Sequence, residues 1–159
     1  MIDDLKQLNR LIASHWLGRL NAEQEAYLDH TRVCIGRLAH STAELTLLLN
    51  HLKQESASAL HVGELNRRYL TFVRLAAKEA NAGRPDLLIQ LGITLKQASW
   101  VRNLSDEDLD RLAFGISAPM IRFARRVFQR GVALHTKVGE QHAAALVSAR
   151  PPVRGVELP

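Results

Sequence analysis

Apolar residues recur at intervals of three or four positions along most of this chain, and that spacing limits what it can fold into. Ile2, Leu5, Leu8, Ile12 and Trp16 fall on one stripe when wound into a helix. No stretch has the alternation of apolar and polar residues that is typical of a half-buried strand. The pattern predicts an all-α fold, a helical bundle of about six to seven helices.

Capping residues divide this pattern into separate helices. A first helix is predicted at about 3–20, and Asn21 with Gln24 forms a capping box for the next. Ser41 and Glu44 form a second box, which either begins a new helix or lies within one long helix. Later helices are predicted at about 64–80, 86–91, 95–103, 105–114 and 118–148. Thr94, with Gln97 three residues on, is the predicted cap of the helix at 95–103, and Ser105 is the predicted cap of the helix that ends near 114.

A break in periodicity at 54–63 suggests how the chain is organised. Residues 1–54 are predicted to form an N-terminal helical hairpin that serves as a partner or dimer arm. Residues 64–149 are predicted to form a C-terminal helical domain with a helix-turn-helix-like segment. Residues 150–159 contain prolines and no helical spacing, which predicts a disordered tail.

Length and composition indicate the size of the core and the cellular compartment of the protein. The chain has 159 residues, which is long enough to form one hydrophobic core. Its single cysteine, Cys34, cannot form an internal disulfide, which favours a reducing cytoplasm and a buried apolar role for the thiol. No run approaches the length of apolar sequence that a membrane span needs, so we expect no membrane contact.

The residue pattern offers no candidate for catalysis. The seven histidines lack metal-ligand spacing, so we expect no metal site. The acidic cluster at 106–110 lies at a predicted helix N-terminus, where negative charge stabilises the helix. Phosphate-binding loops and nucleophile motifs are absent, so we expect a protein that is not an enzyme and needs no cofactor.

Basic residues are concentrated in the C-terminal part, although the whole chain has a net charge of only +5. Beyond Ser117, the acids are Glu140 and Glu157. The cations there are Arg122, Arg125, Arg126, Arg130, Lys137, Arg150 and Arg154. Such asymmetry predicts an anionic partner.

The predicted last helix is the first candidate for DNA contact. Arg122, Arg126 and Arg130 are four residues apart and would share one helical face, with Arg125 and Lys137 beside them. Such a row can neutralise phosphates and release their counterions without reading sequence. The alternative is a solvated face, or one paired with an acidic protein.

The segment 86–104 is a second candidate, because it resembles a helix-turn-helix around Gly92. Its second helix would present Lys96 and Arg102 to DNA, together with Thr94, Gln97 and Ser99. The alternative is a pair of short helices within a bundle.

Leucines predict a protein interface. Leu38, Leu45 and Leu52 repeat every seven residues, with Leu49 between them, as in a short coiled-coil seam. These leucines and Tyr69 are the candidate partner interface; the alternative for the seam is ordinary core packing in a bundle.

The region 64–125 resembles the FlhD family, the D subunit of the flagellar transcriptional activator. The resemblance is carried by a few short segments of core and turn residues. They are Tyr69-Leu70, Arg74-Leu75, Gln90-Leu91-Gly92-Ile93, Leu104, Leu109 and Arg111-Leu112-Ala113.

The resemblance implies a transcriptional regulatory subunit of bacterial type. It implies a homodimer that joins an FlhC-like zinc-containing partner subunit and shares DNA contact with it. The alternative from another class is a helical adaptor or assembly protein that binds only other proteins.

Overall fold

The fold is built from eight helices and one two-stranded antiparallel sheet, in a computed structural model that describes residues 2–52 and 60–148. The predicted all-α class is confirmed. In chain order the described elements are α1 (Ile2–Leu17), α2 (Ala22–His30), β1 (Gly36–Leu38), α3 (Thr42–His51), α4 (Leu60–Asn81), α5 (Asp86–Leu91), α6 (Leu95–Arg102), α7 (Asp106–Gly115), β2 (Ile121–Phe123) and α8 (Arg125–Ser148).

Helix starts follow the predicted capping residues. Asn21 and Gln24 form a reciprocal capping box at α2, and Thr94 and Gln97 form another at α6. The Ser41 side chain accepts from the Glu44 amide, so α3 begins afresh there.

Helix α4 is the centre of the bundle, because α1, α5, α6 and α7 all pack against it. Eight apolar residues of α4 are buried: Val62, Leu65, Tyr69, Leu70, Phe72, Val73, Ala76 and Ala77. The C-terminal ends of the short helices α5 and α6 are set by their connecting turns. Gly92 ends α5 with a φ of 63°, a left-handed conformation that glycine adopts without strain.

The two strands are distant in sequence and pair antiparallel, with Gly36 opposite Phe123, Arg37 opposite Arg122 and Leu38 opposite Ile121. Two further backbone bonds extend this ladder. The amide of Ala39 donates to the Met120 carbonyl at 2.8 Å, and the amide of Ala124 donates to the Ile35 carbonyl at 3.0 Å.

Two fully buried asparagines fix the ladder to the helices. Asn9 of α1 donates to the Val33 carbonyl at 2.9 Å and accepts from the Ile35 amide at 3.0 Å. Asn66 of α4 holds the start of β2, because it accepts from the Met120 amide at 2.7 Å. Its amide group donates to the carbonyls of Ala113 and Ala118.

The predicted helix 118–148 is wrong at its beginning. Helix α8 begins at Arg125, and the residues before it form β2. The amide and carbonyl of Met120 bond to Asn66 and Ala39, so they are unavailable to a helix.

The N-terminal part also contains more elements than the predicted helical hairpin. The stretch 1–54 contains α1, α2, β1 and α3, and its buried residues Leu8, Ile12 and Leu45 belong to the same core as those of α4. The predicted connection at 54–63 falls mainly on residues outside those described, as does the predicted tail at 150–159.

Candidate functional site

The acidic cluster at the start of α7 is bound by arginines of the same chain. Asp106 receives a hydrogen bond from Arg74 of α4 at 2.5 Å, and Asp110 forms an ion pair with Arg67. The Arg74 hydrogen bond and charge lower the pKa of the Asp106 carboxyl. Asp106 and Asp110 therefore join α7 to α4, and the negative charge of these two residues is balanced at close range.

In contrast to the acidic cluster, the outward face of α8 is basic. Phe128 is buried and Val132 half-buried, so this side of the helix faces the core. Arg126, Arg130 and Lys137 lie on the opposite side and are exposed. They extend over about 16 Å of helix. None of the three forms an ion pair with a carboxylate among the residues that the structure describes.

Arg122 does not share this helical ridge, which corrects the prediction that it would. It lies in β2, exposed, with the buried side chains of Ile121 and Phe123 on the other side of the strand. The direct cross-strand neighbour of Arg122 is Arg37, which is also exposed.

Arg125, the first residue of α8, lies between Arg122 of β2 and the exposed cations of α8. Its guanidinium carbon lies 5.8 Å from the centre of the Phe123 ring, a distance that suits a cation–π contact. We call the set Arg37, Arg122, Arg125, Arg126 and Arg130 the basic surface. No ion pair joins any of its members to an acid within residues 2–52 and 60–148.

Sequence reasoning missed Arg37, because its neighbour Arg122 is far away in the chain. The structure also sets Arg37 against the helix-turn-helix-like segment, where its guanidinium packs on Gly92 in the space that a Cβ would fill. On either side of this contact, the Cys34 amide donates to the Gln90 carbonyl and the Gln97 side chain donates to the His40 carbonyl. Strand β1 therefore runs along α5 and α6.

The predicted DNA-reading helix α6 is less accessible than a recognition helix requires. Lys96 and Arg102 are exposed as predicted, but the Thr94 and Gln97 side chains are engaged in the capping box. Trp100 donates from its indole to Thr46 of α3 at 3.0 Å. Helix α3 thus lies along the face of α6 that would enter a groove.

Two of the predicted partner-interface residues lie inside the core and cannot contact a partner. Leu45 and Tyr69 have no exposed area, since both belong to the core. Leu38, Leu49 and Leu52 are half-buried and pack against the same core. The seam residues therefore hold α3 and β1 to the bundle, and the leucine that α3 exposes is Leu47.

Exposed apolar surface is found elsewhere. A groove of about 920 Å³ between α1 and α4 is lined by Leu11, Phe72 and Leu75, among others, and has His15 and His61 at its rim. Partial burial, with the charge of nearby His61, lowers the pKa of His15. On α8, Val127, Leu134 and Val138 are each more than half exposed.

Other kinds of site lack support within the described residues. No group of three or more histidine, cysteine or acidic side chains is placed there to hold a metal ion. None of the helices described combines the length and apolar character of a membrane span. Cys34 is buried, and burial raises the pKa of its thiol to about 11, so it is a poor nucleophile.

The site is thus an arginine-rich surface formed by the ladder and the start of α8. Comparison with models of protein families, with curated proteins and with solved structures finds no match for this chain.

Proposed function

We propose that this chain is a cytoplasmic, non-enzymatic subunit of a bacterial transcriptional regulator, and that it contacts the DNA backbone through the basic surface. The observation that carries the proposal is which charged residues have ion-pair partners within the chain. Asp106, Asp108 and Asp110 of α7 have arginine partners, whereas the arginines of the basic surface have no carboxylate partner among the described residues. Exposed guanidinium groups of this kind bind phosphate oxygens.

The mode of contact follows from the elements involved. Arg122 projects from a strand, and Arg126 and Arg130 project from an exposed helix face. A guanidinium group on the outside of either element can reach phosphate oxygens. Contacts from such a surface go to phosphates, which position a protein without reading sequence. Promoter choice would then come from a partner. The resemblance to the FlhD family implies such a partner, because it implies a homodimer that joins an FlhC-like zinc-containing subunit and shares DNA contact with it.

The test compares two triple charge reversals of equal size. Arg122→Glu, Arg126→Glu and Arg130→Glu together change the basic surface, whereas Arg19→Glu, Arg68→Glu and Lys78→Glu change exposed cations elsewhere. Binding to random-sequence duplex DNA is measured by fluorescence anisotropy as salt rises. Each phosphate contact contributes about 0.9 to the log–log salt slope.

We expect the basic-surface variant to lose binding and the control to retain it. Both should remain folded, because exposed substitutions change the free energy of unfolding by about 0.5 kcal/mol or less each. Equal loss in both variants would mean that net charge alone is responsible, and the proposed surface would be wrong.

The second candidate function is a helical adaptor that binds only other proteins. The groove between α1 and α4 and the exposed apolar residues of α8 favour it. An adaptor would not bind DNA even at low salt. Co-purification from the native host separates the two, since a zinc-containing subunit in the complex would support the regulatory function.

A further inference from the structure

Arg37 and Arg122 are placed directly opposite each other on the two-stranded ladder. The bonds at Ile35–Ala124 and Ala39–Met120 make the pair between them a hydrogen-bonded pair, whose Cα atoms lie about 5.5 Å apart. Both side chains leave the same face of the ladder, and both are exposed. No described carboxylate forms an ion pair with either.

This arrangement is unfavourable for the protein alone. Like charges directly opposite each other destabilise a strand pair. The fold nevertheless holds both strands firmly in this register, because Asn9 fixes the entry to β1 and Asn66 fixes the entry to β2. An anion between the two guanidinium groups would remove the repulsion.

One of the two arginines is further restricted by its surroundings. The Arg37 guanidinium packs against Gly92, where the missing Cβ leaves room for it. The amide of Gly92 is occupied, because it donates to the Ile89 carbonyl at 3.0 Å. An anion at this place would therefore be held by the two side chains and not by the turn.

We infer that Arg37 and Arg122 form a two-arm site for a single phosphate of a nucleic-acid backbone. The guanidinium fork matches the spacing of phosphate oxygens, so each arm can bind one side of the same group. This inference rests on the DNA contact proposed above, and it adds the position of one phosphate on the protein surface. The phosphate would lie beside the α5–α6 turn, and the backbone would continue from there toward Arg126.

The experiment uses the full chain and a random-sequence duplex. Binding and its salt dependence are measured for Arg37→Gln, Arg122→Gln and the double variant, and also for Arg126→Glu/Arg130→Glu on α8. Arg19→Gln, an exposed arginine outside the ladder, is the matched control. Thermal unfolding of each variant is recorded beside binding, and the ladder variants should have an unchanged or higher Tm because a repulsion is removed.

A shared phosphate predicts losses that do not add. Each single ladder variant should bind about tenfold more weakly, and the double variant only slightly more weakly still. The salt slope of the double variant should fall by about 0.9, the value for one phosphate. The control should bind as the wild type does.

Three results would overturn the inference, and they separate it from the proposed function. Losses that add, with a fall in slope of about 1.8, would indicate two separate phosphates. Wild-type binding by the ladder variants, with loss in Arg126→Glu/Arg130→Glu, would refute the two-arm site and leave the DNA contact standing. Absence of DNA binding by the wild type at low salt would refute both.

Discussion

Asn9 and Asn66 are the residues on which the geometry of the ladder depends most. Each is fully buried and offers both a donor and an acceptor from one short side chain. Asn9 bonds to backbone groups of Val33 and Ile35, just before β1. Asn66 bonds to the Met120 amide, just before β2, and to the Ala113 carbonyl of α7. Asparagine thus replaces the hydrogen bonds that a longer sheet would provide.

Replacing Asn66 by alanine should destabilise the protein strongly. The Met120 amide and the Ala113 carbonyl would lose their buried partner, and an unsatisfied buried group costs about 1–3 kcal/mol. We expect the free energy of unfolding, measured with urea, to fall by about 3 kcal/mol. Asn50→Ala, at an exposed position of α3, is the control, and equal stability of the two variants would contradict this role for Asn66.

Cys34 gives the stability of the protein a dependence on alkaline pH. Burial raises the thiol pKa from 9.0 to about 11, so the folded state holds its proton where the unfolded state loses it. This contribution to stability is fully present below pH 9 and is lost as pH rises toward 11.

The free energy of unfolding should therefore fall less steeply over that pH range in Cys34→Ala than in the wild type. Tyr69 is common to both proteins, and burial raises its pKa too. The charge of Cys34 raises the Tyr69 pKa further, so the comparison reports the thiol together with its effect on Tyr69. Parallel pH profiles for the two proteins would show that the thiol does not contribute.

At the scale of elements, helices could be predicted from sequence and the strands could not. Asn21, Ser41, Thr94 and Ser105 act as predicted caps because a cap involves residues three positions apart. The strands have three residues each and depend on pairing between distant parts of the chain. Local sequence contains no signal for such a pairing.

The same limit applies to the candidate site. The α8 part of the basic surface could be predicted, because Arg126 and Arg130 follow helical spacing. Arg122 fits that spacing equally well, so its position in β2 could not be foreseen. Arg37 enters the surface only through the ladder.

Two glycines of α8 allow a matched test of how α8 packs on α2. A Cβ on Gly131 would lie 2.4 Å from the Tyr27 ring, which also contacts Phe128 and His135 of α8. A Cβ on Gly139 would meet nothing within 4 Å.

Gly139→Ala should stabilise the protein by up to about 1 kcal/mol, because alanine favours a helix. Gly131→Ala has the same intrinsic gain but must displace Tyr27, so we expect a net loss of stability of about 1 kcal/mol or more. Thermal unfolding of the two variants measures the difference. An equal increase in Tm would mean that α2 does not pack on Gly131.

At the scale of the whole molecule, two features connect the fold to the proposed function. One is the shared apolar core, and the other is the distribution of ion pairs over the surface. Residues from α1 to the start of α8 share a single apolar core, and the buried face of the ladder belongs to it. The ion pairs join α4 to α7 and α1 to α2. The basic surface takes part in none of them, which leaves its arginines available to an external anion.

The most direct test of this account is an NMR titration of the arginine Nε–H signals with a random-sequence duplex at low salt. Arg37, Arg122, Arg126 and Arg130 should shift, because phosphates reach their guanidinium groups. Arg67 and Arg74, already bound to Asp110 and Asp106, should not shift. Signals of the basic surface that stay unchanged while DNA is bound, or the absence of any bound DNA, would contradict the account.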